Sequence, residues 1–289
     1  MTFREVLNWG KEKLKNSGIA EYELDAWLLL EYVTGISRAL FFVKDHEEMM
    51  AQDRETYETL IRRRSCHIPL QHITNTQEFM GYEFYVNEHV LVPRQDTEIL
   101  VEEADRIASE KSMTKILDLC CGSGCILLSL LKMGKNRSGI GSDISEEALK
   151  VAKINRERLH ISEERVTFLK GDLFENISGR FDLIVSNPPY IRTAEIETLQ
   201  EEVRLHDPFE ALDGKEDGLF FYRRIVNEAE RYLEDNGVLL FEIGYDQADD
   251  VRTLMEEADF ENVQVKKDLA GLDRVMGGVY NRARENRRN

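Results

Sequence analysis

From Asp96 to Tyr280 the sequence alternates short apolar runs with amphipathic helical stretches, and this alternation narrows the possible folds more than any other feature. Strands are predicted at 115–120, 139–143, 165–170, 181–186, 238–243, 263–269 and 274–280, and helices at 97–109, 124–133, 145–159, 219–233 and 246–258. Parallel strands need crossovers, crossovers are right-handed, and helices then cover both faces of the sheet. Only Ala270-Gly271-Leu272-Asp273 separates the last two strands, too few residues for a crossover, so they must form an antiparallel hairpin at the sheet edge. The expected fold class is α/β with a seven-stranded, mostly parallel sheet.

Upstream the period changes. Val6, Leu7, Trp9 and Leu14 form one helical stripe, and Leu24, Trp27, Leu28 and Tyr32 a second. Leu40, Phe41 and Phe42 start a third, and Tyr57, Leu60 and Ile61 a fourth. Residues 1–68 therefore read as an N-terminal helical domain. Across 69–93, Phe79, Phe84, Val86, Val90 and Val92 alternate about turns at Met80-Gly81 and Asn87-Glu88, which predicts a β-hairpin connector. Residues 94–289 form the main domain.

The charge balance excludes some partners. Acids outnumber bases by 55 to 38, for a net charge of -17 over 289 residues. Binding nucleic acid through its phosphates requires a basic face, so this balance argues against such a partner. The basic tail NRARENRRN reads as a solvated terminus. The longest apolar runs, 126–131 and 238–241, are far too short to cross a bilayer, so no membrane is expected. The first 18 residues carry Glu5 and Glu12 and lack the apolar core of a signal peptide, which predicts a cytoplasmic protein. Of four cysteines, Cys120, Cys121 and Cys125 crowd a glycine turn with no histidine nearby to complete a zinc site, so no metal is expected.

That turn, ILDLCCGSGCI at 116–126, is strand, glycine loop and helix start. Gly122 and Gly124 allow a sharp turn and close approach to a ligand, with Cys120, Cys121 and Ser123 between and before them. Asp143 follows 19 residues after Gly124, at the end of the next strand, where a carboxylate can accept from ribose hydroxyls. The bland alternative is a tight turn with Asp143 as a helix cap. Asp118, at the end of the first strand, would repel phosphates but suit an ammonium or sulfonium. S-adenosyl-L-methionine has ribose, adenine, an amino acid end and no phosphate. Asp172 could meet its adenine amino group and Leu173 its ring face.

The fourth strand, FDLIVS, runs into Asn187-Pro188-Pro189-Tyr190. If it neighbours the strand of Asp118, both loops face one crevice where the strand order reverses. Asn187 before proline is driven to extended geometry, and the prolines have no N–H. The Asn187 side-chain oxygen and the Pro188 carbonyl then make two fixed acceptors, matched to the two donors of a planar –NH2 group. Tyr190 offers that group a flat face. An amide nitrogen is a poor nucleophile. Two acceptors holding its hydrogens favour the positive charge that develops when it attacks a methyl carbon held in line. A rigid strand exit is the bland alternative.

Asn187 to Tyr190 with ILDLCCGSG upstream resembles the amino methyltransferases that use S-adenosylmethionine. PLQHI (69–73), EFMGYEF (78–84), VLVPRQDTEILVE (90–102), ALDGKEDGL (211–219) and LLFEIGYDQ (239–247) resemble the PrmC/HemK family of peptide chain release factor glutamine-N5 methyltransferases. The resemblance spans essentially the whole chain. It implies a Rossmann-like methyltransferase sheet and an N-terminal domain for substrate recognition. It further implies methylation of the glutamine in the Gly-Gly-Gln motif of class I release factors, leaving S-adenosyl-L-homocysteine. By position, Cys120 to Gly124 form the cofactor loop, Asp143 holds the ribose, Leu173 lines the adenine pocket, and Asn187 to Tyr190 grip the glutamine amide. Cys120-Cys121 stand where related sequences usually have glycine and a small hydroxyl residue.

Arg94, Asp96 and Glu98 either line the substrate entrance or serve as a cap and surface pairs, with Arg94 the candidate for substrate contact. Glu242 either faces the crevice or bonds locally, and His206-Asp207-Pro208 reads as a loop. Two rival functions share these features: adenine-N6 methylation of nucleic acid, whose flipped base presents the same amine, and a non-catalytic cofactor-binding adaptor.

Overall fold

A computed structural model describes residues 1–281; the rest of the basic tail lies outside the described residues. The chain divides into two compact units, one of Met1–Thr76 with Gln200–His206, the other of Gln77–Leu199 with the chain from Asp207 onward.

The first unit begins with α1 (Phe3–Asn16), α2 (Tyr22–Thr34), α3 (Arg38–Lys44), α4 (Ala51–Arg64) and α5 (Leu70–Thr74). Thr2 opens α1 with a reciprocal capping box to Glu5. Leu14, Leu29, Leu30, Tyr57 and Ile61 lie fully buried in one apolar cluster, and the Tyr57 hydroxyl donates to the Ala26 carbonyl at 3.0 Å. Arg64 is buried and spends its guanidinium on three partners. It donates to Asp25 at 2.7 Å and to the Ile68 carbonyl at 3.2 Å, and it pairs with Glu202. His67 also meets Glu201, at 2.9 Å. These contacts explain why a segment from position 200 belongs to the N-terminal unit.

In the second unit, β1 (Gln77–Phe79) and β2 (Tyr82–Phe84) form a short antiparallel hairpin. The connector departs from expectation at both ends. Residues 70–74 are helical, and no strand follows the turn at Asn87-Glu88. The ladder ends at Phe84, and the next residue pairs elsewhere: the Tyr85 backbone N–H and C=O bond the buried Asn155 side chain, at 2.6 and 3.0 Å.

Next come α6 (Gln95–Glu110), β3 (Lys115–Leu119), α7 (Cys125–Met133), β4 (Ser138–Asp143), α8 (Glu146–Arg158), β5 (Val166–Lys170) and β6 (Phe181–Ser186). Short α9 (Thr193–Ile196), α10 (Glu201–His206, in the first unit) and α11 (Phe209–Leu212) follow. Then come α12 (Phe220–Ala229), β7 (Leu233–Glu242), α13 (Ala248–Glu257), β8 (Phe260–Lys267) and β9 (Asp273–Tyr280). The seven strands line up as β5-β4-β3-β6-β7-β9-β8, parallel as far as β7, with β9 antiparallel to both neighbours. The expected α/β sheet is present, and its final hairpin folds back so that β8 takes the edge. The helix expected over 219–233 stops at Ala229, because β7 starts at Leu233 to pair with Phe181.

Helices α6, α7 and α8 cover one face, packing on Ile116, Leu183, Val185 and Leu240. Helices α12 and α13 cover the other, over Leu117, Ile184, Leu239 and Phe241. No single helix among the described residues is long and apolar enough to cross a membrane.

Replacing Arg64 with alanine should lower the unfolding free energy by about 3–5 kcal/mol, the usual cost of leaving one member of a buried ion pair alone. Urea denaturation of the variant measures it; a loss of under about 1 kcal/mol would show that Asp25 finds solvent instead.

Candidate active site

β3 and β6 are adjacent and parallel, with Asp118 beside Val185. The sheet order reverses between them, β4 and β5 lying to one side and β7 to the other. At the carboxyl ends of these strands lies a cavity of about 730 Å³.

The loop after β3 forms one wall. Cys120, Cys121, Gly122 and Ser123 line the cavity, with Asp143, Asp172 and Leu173 alongside. The Gly122 N–H donates to one Asp143 oxygen at 2.8 Å and the Ser145 N–H to the other at 2.9 Å. The carboxylate thus shapes the loop and keeps spare lone pairs toward the cavity. Burial raises its pKa, and the N–H donors from Ser145 and Gly122 pull the other way. The cap of α8 is Ser145, whose hydroxyl accepts from the Ala148 N–H at 3.2 Å. The Asn155 amide donates to the Ser123 carbonyl at 2.9 Å, so the residue that bonds Tyr85 also anchors the loop. Asp172 pairs with Arg224 at 2.9 Å. Cys120 has φ of +58°, in the left-handed region that favours glycine.

Asn187 and Pro189 form the opposite wall. The Asn187 amide nitrogen donates to the Thr97 hydroxyl, 3.4 Å away in the first turn of α6, so its oxygen is the atom left over. The Tyr190 carbonyl accepts from the buried Gln247 side chain at 3.0 Å. Gly218 packs so closely that a Cβ there would lie 2.4 Å from the Tyr190 carbonyl oxygen. ALDGKEDGL and LLFEIGYDQ therefore buttress the Asn-Pro-Pro-Tyr backbone from behind.

Four expected site residues stand off the cavity. Asp118 is fully buried and turned to the same face as Ile116, under α7, where it accepts from the Leu127 N–H at 3.2 Å. Strand alternation dictates that face, so its charge does not meet a ligand cation in the crevice. Gly124 lies beneath the loop, against Leu128, Ala152 and Phe168. Pro188 and Tyr190 are absent from the lining. The Tyr190 hydroxyl donates instead to Glu242 at 3.2 Å, and its ring packs on the α12–α13 core.

Arg94 lines the cavity and pairs with Asp207 at 2.9 Å. Asp96 pairs with Arg274 at 3.3 Å, Glu98 accepts the Met80 N–H at 2.5 Å, and neither reaches the lining. Thr97, Lys215 and residues 208–211 complete the wall and had no role assigned from sequence, although VLVPRQDTEILVE and ALDGKEDGL flagged their neighbourhoods. Of the cations there, Arg94 and Lys215 are both neutralised, Lys215 by Asp213 at 2.7 Å. A cavity lined by the carboxylates of Asp143, Asp172, Glu210 and Asp213, by apolar Leu173 and by no unpaired Arg or Lys among its described lining suits S-adenosylmethionine, which carries no phosphate.

The fold and site define a Rossmann-like methyltransferase. A methyltransferase from Pyrococcus furiosus shares the fold, with a TM-score of 0.51 at 15% identity over 76% of this chain and 98% of that one. The family description "Methyltransferase domain" matches residues 110–278, and "PrmC N-terminal domain" matches 5–74. The release factor glutamine methyltransferase of Clostridium acetobutylicum is 39% identical over 96% of this chain and 99% of its own length. That of Geobacter sulfurreducens is 41% identical over 96% of each. The chain belongs to the release factor glutamine methyltransferase family.

Burial raises the folded-state pKa of Asp118 well above its usual value of 3.8, so between those values the folded state holds a proton that the unfolded state has lost. Unfolding free energy should therefore fall as pH rises through that window. Asp118→Asn should remove that slope. Urea midpoints for both proteins at stepped pH test it; parallel curves would contradict it.

Proposed function

We propose that the cavity between the β3 loop and Asn187 is where this chain methylates the side-chain amide nitrogen of the glutamine in the Gly-Gly-Gln motif of class I release factors. Asp143 would hold the ribose, Asp172 and Leu173 the adenine end, and Cys120 to Ser123 the backbone cradle. When bound, S-adenosylmethionine supplies an electrophilic methyl group on a sulfonium sulfur. The Asn187 oxygen accepts an amide hydrogen, which orients the nitrogen and favours positive charge on it as it attacks. Arg94, at the mouth, meets the substrate backbone. N-alkylated amides lose a proton readily, so no strong base is required.

The observation that carries this reading is the Asn187 side chain, whose nitrogen is turned to Thr97 and whose oxygen is left for a donor. Asn187→Ala should abolish methyl transfer while cofactor affinity stays near normal. Mass spectrometry of a treated release factor should find one added methyl on its glutamine in wild type and none in the variant. Unchanged turnover would overturn the assignment. The protein works in the cytoplasm, where release factors act.

The N-terminal unit (from position 1 to about 68 in the sequence reading) recognises the body of the factor. In support, Leu40, Phe42 and Val43 of α3 and the nearby Met50 are apolar and exposed. Phe42→Glu with Val43→Glu should raise KM for the intact factor and leave KM for a short Gly-Gly-Gln peptide unchanged. Equal effects on both substrates would reject this role.

A further inference from the structure

A glutamine side chain reaches an amide grip inside a cavity only if the backbone that carries it is held at the mouth. Tyr190, the ring expected beside the grip, is turned into the α12–α13 core. Two other Phe, Tyr or Trp rings line the cavity among its described residues, Phe209 and Phe221. Phe221 stands on α12, meets Phe220 edge to face at 5.1 Å and packs on the same core. Arg224, one turn further along α12, pairs with Asp172, so Phe221 belongs to the Asp172 end of the cavity. Phe209, on α11, keeps 51% of its surface exposed. Apolar ring surface left in water at a cavity wall is stabilised when a ligand covers it.

The contacts around Phe209 place it at the Asn187 end. The Thr97 N–H donates to the Arg94 carbonyl at 3.1 Å, and the Thr97 hydroxyl accepts from the Asn187 amide. The Arg94 side chain in turn pairs with buried Asp207, two residues before Phe209. On its other side α11 is bonded to the residue that follows Tyr190. The Ile191 N–H donates to the Leu212 carbonyl at 3.0 Å, and the Gly214 N–H donates to the Ile191 carbonyl at 2.8 Å. The Asp213 N–H donates to the Phe209 carbonyl at 3.1 Å, and the Asp213 carboxylate accepts from the Thr193 hydroxyl at 2.5 Å. The backbone of Phe209 is thus tied from both sides to the segment that carries Asn187.

We propose that Phe209 is a substrate-binding residue whose ring lies against the peptide planes of the two glycines ahead of the acceptor glutamine. A bare peptide plane is flat on both faces, so a ring can approach it at van der Waals distance. A Cβ on either glycine would stand between ring and chain and hold the glutamine short of Asn187. The ring therefore selects glycine ahead of glutamine, which Asn187 cannot do because it grips only the side-chain amide. This deepens the proposed function and rests on its assignment of Asn187 as the amide grip.

The test uses the full-length protein, S-adenosylmethionine and two peptides that differ only in carrying Gly-Gly-Gln or Gly-Ala-Gln. Wild type should methylate the first with the lower KM. Phe209→Ala should raise KM for the Gly-Gly-Gln peptide by roughly 3- to 10-fold, the scale of one aromatic contact, with kcat near normal. The gap between the two peptides should narrow. Phe209→Tyr should keep the wild-type KM and preference. Phe209→Leu, apolar but not planar, should behave like Phe209→Ala. Affinity for S-adenosylhomocysteine and melting temperature should not move in any of the three. An unchanged KM or an intact peptide preference in Phe209→Ala would overturn the assignment. So would a Phe209→Leu variant as selective as wild type, because the flat face would then be irrelevant. A matching loss of S-adenosylhomocysteine affinity would assign the ring to the cofactor and overturn it too. An active Asn187→Ala would instead overturn the reading beneath it, so the two failures are distinguishable.

Discussion

The pairing of β3 with β6 is the constraint on which the site depends. Leu119 stands beside Ser186, so the glycine loop and Asn187 leave the sheet side by side and in the same direction. Parallel strands deliver their carboxyl ends to one side, and a reversal of order leaves a gap there that no crossover helix fills. The Ser186 hydroxyl donates to the Leu119 carbonyl at 2.8 Å and secures the junction from within. Shift this register by one residue and the two walls would no longer face each other.

The Asn187–Tyr190 segment is held by buried supports. Pro188 and Pro189 cannot join a ladder, so side chains from distant segments secure the chain around them. Gln247 bonds the Tyr190 carbonyl and, through its own oxygen, accepts the Gly244 N–H at 2.9 Å. The Tyr222 hydroxyl donates to the Glu242 carbonyl at 2.9 Å. Buried polar groups of this kind hold only when each has a partner, and a change in one is felt by its neighbours. Asn155 plays the same part across the cavity, tying Tyr85 and the Ser123 carbonyl together.

Residues whose placement follows from backbone chemistry were readable in advance. Gly122, Asp143 and Asn187 took their places because turn geometry, strand ends and proline act locally. Asp118 did not, since its position along the strand was plain but the face it points to depends on which helix covers that face. Tyr190 was read as a stacking surface, yet its ring lies against α12 and α13, and Glu242 holds its hydroxyl. The short helices α9 to α11, of four to six residues, are too brief to show a helical period. Asp207 was passed over because its partner, Arg94, lies 113 residues away.

Sequence alone determined the α/β class, the seven strands and the two loops that meet across the crevice, because alternation, glycine and proline impose their geometry within a few residues. Tertiary structure alone decided that the Asn187 amide bonds Thr97, which carboxyls are buried, and that residues 200–206 belong with the N-terminal helices. Those outcomes rest on hydrogen bonds and ion pairs between residues far apart in the chain, and no local pattern encodes them.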